Sequence, residues 1–172
     1  MVEMMEYLKL IAVSFGCSFG LGFVFRIPAK DLVWAGIGGG LTRCVYLIML
    51  AVSDNTFLQT LVAAIFAALF AEIMAMQRRS PSTVFLYPAI LPLIPGGTMY
   101  YIALNLILGE EAAAMNYFKD CVLALTGMCL GFVLISTFTY YRRIYYATEH
   151  LKSDIVDAVK IFLSIDTDDD KK

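Results

Sequence analysis

RRSPSTVFLYPAILPLIPGGTMYYIALNLILG, residues 78–109, is an apolar run opened by two arginines and interrupted by Pro88, Pro92, Pro95, Gly96 and Gly97. Proline removes a backbone donor and clashes with the preceding turn, and glycine loosens the chain further. A segment this apolar around several prolines suits a membrane. There, a helix break is tolerated only where protein or a wet cavity satisfies the freed backbone groups. Discontinuous helices of this kind build the substrate sites of many transporters. The stretch therefore predicts a broken span with a candidate binding site at Pro92, Pro95, Gly96 and Gly97.

Composition agrees with a membrane chain. Of 172 residues, 60% are hydrophobic and only 16% charged, and the mean hydropathy is +0.74. At about 20 residues per span the length accommodates roughly five spans. No basic stripe points to nucleic acid. Cys17, Cys44, Cys121 and Cys129 fall in apolar runs without a CxxC, which reads as buried free thiols. The N-terminus has no basic n-region, so the first apolar run reads as a retained helix. No HExxH, GxSxG or P-loop occurs, and the chain has one histidine, His150. The expectation is no enzyme, no metal and no cofactor.

The spacing predicts an all-α polytopic bundle. Span one covers residues 7–25, span two 32–52 and span three 56–76. Span four is broken, its halves covering 81–94 and 98–109, with Ser80 and Thr98 as N-caps. An acidic loop, 110–116, leads to span five at 118–138. Residues 1–143 then form a transmembrane domain. Residues 144–165 form an amphipathic cytoplasmic helix with Ile144, Leu151, Ile155, Val159 and Phe162 on one face. Residues 166–172 form a disordered acidic tail. Arg26, Lys30, Arg78, Arg79, Arg142 and Arg143 mark alternate loops. The positive-inside rule then puts the N-terminus outside and the C-terminus in the cytoplasm of a plasma-membrane protein.

Inside the membrane, Arg43 and Glu72 stand out. Arg43 lies about eleven residues into span two, ~16 Å deep, and a charge at that depth normally faces a partner or a wet cavity. Arg43 is read as the anchor of a substrate carboxylate, Glu72 as a coupling group; a structural ion pair between them is the alternative. Thr98 and Asn105 belong to the second half-helix, whose N-terminal dipole would favour an anion. Three GxxxG pairs, Gly16/Gly20, Gly36/Gly40 and Gly127/Gly131, predict close helix packing.

Ala71-Glu72, Arg78-Arg79 and the PAILPLIPGGTMYY block from Pro88 to Tyr101 resemble the signature of the threonine/serine exporter family. The resemblance covers about Leu8 to Arg143. It implies the small-subunit type, equivalent to the C-terminal membrane half of single-chain exporters, working with a larger partner subunit. The implied activity is export of threonine and serine. A dicarboxylate, succinate-type, exporter subunit, a non-transporting assembly subunit and a channel are the alternatives.

Overall fold

The computed structural model describes residues 2–169, apart from the side chains of 2–4, 143, 146, 147 and 149–169. Its helices are α1 (Val2–Val24), α2 (Ala29–Val52), α3 (Thr56–Arg78), α4 (Thr83–Ile90), α5 (Gly96–Leu108) and α6 (Glu111–Asp169), with a 3₁₀ turn at Leu91–Leu93. No strand occurs among the described residues. Four helical stretches are long and apolar enough to cross a membrane. The pair Thr83–Leu93 and Gly96–Leu108, bent by 41°, is long and apolar enough when taken together, which makes four to five candidate spans among the described residues. The all-α bundle with a broken fourth span is therefore the observed architecture.

The chain divides into two compact units, Met1–Ile135 and Ser136–Lys172. The first carries the helix bundle. The second continues α6, which passes through the expected boundaries at 143 and 165. The amphipathic face proposed for 144–165 falls, beyond Ile144, on side chains outside the described residues, as do residues 170–172.

Within the first unit, small residues set the packing. The buried face of α3 is made of Ala63, Ala64, Ala67, Ala68, Ala71 and Ala75, with Met74, Thr60 and Gln59. Ala68, Ala71, Met74 and Ala75 pack with Phe85 and Leu86 of α4, while Ala63 and Ala64 pack with Leu93. Gly36 of α2 lies against Phe15 and Phe19 of α1, so an added Cβ would meet Phe15 at 3.0 Å. Gly127 and Gly131 of α6 lie against the α3 backbone at Phe57 and Leu61. The two pairs 36/40 and 127/131 thus meet neighbouring helices. Gly16 and Gly20 do not: nothing lies within 4 Å of a Cβ at either. Their face of α1 is open, and many large apolar side chains around the bundle are likewise exposed, among them Val13, Phe23, Ile48 and Ile107. In a bilayer this is the surface that lipid covers.

Several helix ends differ from expectation. α6 begins at Glu111, not near residue 118, because Ala112, Ala113 and Ala114 favour helix and Glu111 suits the positive end of its dipole. The acidic loop shrinks to Gly109, at φ 77°, and Glu110, whose N–H bonds the Asn105 carbonyl. Ser80 is not an N-cap: its hydroxyl donates to Asp31 and α4 starts after Ser82. Thr98 is not an N-cap either. Pro95 occupies that position, and its carbonyl accepts from the Met99 N–H at 3.1 Å. Of the cysteines only Cys121 is buried; Cys17 and Cys129 are exposed and Cys44 is intermediate.

Candidate functional site

The three prolines of the break dictate where backbone groups go unpaired. Pro92 has no N–H, so the carbonyl of Pro88, four residues earlier, loses its helical donor. The Ser18 hydroxyl of α1 donates to it at 2.8 Å, in a fully buried contact. Gly39 of α2 makes that reach possible, since a Cβ there would fall on Ser18 Oγ. The Pro92 carbonyl is freed as well, because the Gly96 N–H turns back to Ile94 at 2.7 Å. Arg43 Nη1 donates to Pro92 at 3.4 Å. The Leu91 carbonyl accepts from the Ile94 N–H at 3.1 Å. Thus two side chains from other helices satisfy the Pro88 and Pro92 carbonyls that the break frees.

The donors at the start of α5 are treated differently. The N–H groups of Gly97 and Thr98 fall in the first turn, where no helical acceptor exists. No side chain caps this end. Nothing stands within 4 Å of a Cβ at Gly96 or Gly97, so the start of α5 borders open space.

That space is a cavity of about 460 Å³ lined by the break, Leu91 to Thr98, together with Ser14 and Cys17 of α1, Arg43 and Tyr46 of α2, Thr56 and Thr60 of α3, and Ala124 of α6. Arg43 is half-buried, with its guanidinium carbon 5.1 Å from the centre of the Tyr46 ring. Its Nε is buried and donates to no group, and the same holds for Oγ1 of the adjacent Thr42. A half-buried guanidinium with one weak hydrogen bond has capacity to take an anion. The cavity lining contains no Asp or Glu. Among the described residues there is no metal-binding cluster of His, Cys, Asp or Glu.

The structure thus brings together Arg43, Pro92, Pro95, Gly96, Gly97 and Thr98. It does not bring Asn105 or Glu72 into the same cavity. Asn105 donates to the Tyr101 carbonyl of its own helix at 2.7 Å. Glu72 is half-buried on α3, about 18 Å along the axis from Thr60 at 1.5 Å per residue. Arg43 has the Pro92 carbonyl and the Tyr46 ring as neighbours instead of a carboxylate. Sequence reasoning missed Ser18, Thr56 and Thr60. Hydroxyls in apolar helices carry little signal, although an orphaned Pro88 carbonyl does demand a donor from somewhere.

At the far end of α2 a second polar cluster forms. Asp31 is fully buried; its Oδ2 accepts from Ser80 Oγ at 3.0 Å and its Oδ1 lies 3.6 Å from Arg78 Nε. Arg78 also donates to the Lys30 carbonyl at 2.9 Å and covers the Trp34 ring at 5.4 Å. The two basic loops therefore meet at one end of the bundle.

Residues 10–138 match a family model described as "Threonine/Serine exporter, ThrE". No curated protein and no solved structure matched the chain.

Proposed function

This chain belongs to the threonine/serine exporter family, and we propose that it is a membrane subunit of a secondary exporter for small carboxylate-bearing metabolites, threonine and serine first among them. The family is one of transporters, and the apolar helices make the chain a multi-pass membrane protein. The carrying observation is that one cavity is lined by Arg43 and by Gly97 and Thr98 of the uncapped first turn of α5. A carboxylate there would accept from the guanidinium while the α5 dipole favours its charge. Hydroxyls of Ser14, Thr56, Thr60 and Thr98 supply neutral partners for the rest of a small polar solute.

A dicarboxylate substrate is the second reading, favoured by one observation. The lining holds a cation and no carboxylate, so this subunit presents nothing anionic to an ammonium group. An amino-acid substrate would need that partner from elsewhere, such as a larger exporter-family subunit. None of the residues of α5 is buried, which leaves that helix available to such a partner or to lipid. Glu72 retains a proposed coupling role, exercised away from the cavity. The proposed orientation in the plasma membrane has the N-terminus outside and the C-terminus in the cytoplasm.

Counterflow in cells co-expressing this chain with its candidate larger subunit tests the reading. Cells loaded with threonine, serine or succinate should exchange at least one of them against external label. Exchange of none, with both chains in the membrane, overturns it.

A further inference from the structure

The cavity and the Asp31 cluster occupy opposite parts of the bundle. On α2 they are twelve residues apart, which is about 18 Å along the axis. Between them the first unit is closed. Ala35, Ala67, Ala71, Phe85, Pro88, Ala89 and Ser18 are all essentially without solvent exposure. A solute in the cavity therefore has no path toward the Asp31 end while these residues stay packed.

We infer that Asp31, Arg78 and Ser80 form the latch of a gate that shuts the cavity off from that end of the bundle. This rests on the exporter reading, since a gate has meaning only where a solute passes. The contacts join the N-terminal turn of α2 to the last residue of α3 and to the segment that links α3 and α4. They tie two helical hairpins at their ends, where an opening would have to start. Their chemistry suits a contact that breaks and re-forms. A buried ion pair adds little net stability compared with well-packed apolar residues, because desolvation offsets the attraction. Here one carboxylate oxygen of Asp31 receives no hydrogen bond. Arg78 is 35% exposed, so water can take over its guanidinium when the pair separates. A closure built only from packing would lack that exchange.

The test reads accessibility and needs no transport signal. In the full chain, the four native cysteines are replaced by serine and a reporter is placed by Ala71→Cys, with Ala75→Cys as a second reporter. A control reporter, Thr60→Cys, sits at the cavity. Membrane fragments with both faces open are treated with a membrane-impermeant thiol reagent. With the latch intact, the reporters at 71 and 75 label slowly. Asp31→Asn keeps the acceptor for Ser80 but removes the charge. It should raise their labelling about tenfold, equivalent to ~1.4 kcal/mol of shifted gate population, and leave the rate at 60 unchanged. Arg78→Gln should do the same, and the exchange Asp31→Arg with Arg78→Asp should restore slow labelling. Unchanged labelling at 71 and 75 in membrane-inserted Asp31→Asn overturns the latch. So does an equal rise at 60, which reports general loosening. Counterflow on the same membranes' parent cells is scored separately: its absence in the unmodified chain overturns the exporter reading and leaves the labelling result standing.

Discussion

Ser18 Oγ stands 2.8 Å from the carbonyl oxygen of Pro88, across seventy residues of sequence. The bond exists because Pro92 withholds the N–H that would otherwise serve that carbonyl. Ser18→Ala should leave a buried acceptor unsatisfied, at about 1–3 kcal/mol. Thermal unfolding of the purified protein in detergent should shift down accordingly. A shift within error would mean that another donor reaches Pro88.

Gly39→Ala should be more damaging than Gly40→Ala, although both sit in the same glycine run. A Cβ at 39 falls on Ser18 Oγ, whereas one at 40 has ordinary contact with Phe15 at 3.5 Å. Overpacking of this kind costs about 1–3 kcal/mol. Gly16→Ala and Gly20→Ala, with open space around them, should be neutral in the isolated chain. Melting temperatures of the four variants give the order.

Arg43→Gln should reduce exchange by about tenfold or more, the scale expected when a charge-assisted bond to a carboxylate is lost. Arg43→Lys should recover little, because a point charge lacks the fork that reaches both Pro92 and a ligand. Stability should change little, since the bond to Pro92 is long at 3.4 Å and Nε is unpaired. Counterflow and a thermal melt separate the two effects.

Gly97→Pro isolates the backbone contribution. Proline is tolerated in the first helical turn, where its missing N–H had no helical acceptor. The variant should fold and melt near the parent protein yet bind substrate more weakly, while Gly97→Ala, which keeps the N–H, should retain exchange. Equal exchange in both would exclude the Gly97 N–H as a contact.

Arg26 and Arg79 both hold φ at 52°, a left-handed conformation that glycine adopts without penalty. Arg79→Gly should therefore stabilise the end of α3 by up to about 1 kcal/mol. The melting temperature should rise slightly. A fall would show that the Arg79 side chain contributes more than its backbone costs.

Local chemistry was readable in the sequence; lateral contact was not. Pro88, Pro92 and Pro95 announce a break because a missing N–H acts within four residues. Arg43 announces itself because a charge in an apolar run requires an answer. The start of α6 was missed because Glu110 and Glu111 resemble a loop, although the alanines after them favour helix. Asp31, next to Lys30 at a loop, carries no signal of its own in the sequence. Its partners, Ser80 and Arg78, lie 49 and 47 residues away, and no periodicity links them. Glu72 and Arg43 suggest a pair in the sequence because both are charges in apolar spans and an arginine stem is long. The axial offset along α3 separates it from the cavity lining.

The alanine face of α3 has a mechanical consequence. Interlocking ridges and grooves of large side chains hold helices at fixed offsets. Ala63, Ala64, Ala67, Ala68, Ala71 and Ala75 offer only single methyl groups to their neighbours. Along these positions α3 is smooth, so small shear steps of α2 or α4 would meet protruding side chains only at a few places, chiefly Met74 and Phe70, which stands over Gly38 of α2. Replacing one of those methyls with a larger group would act as a brake on that travel even where it left the resting arrangement intact.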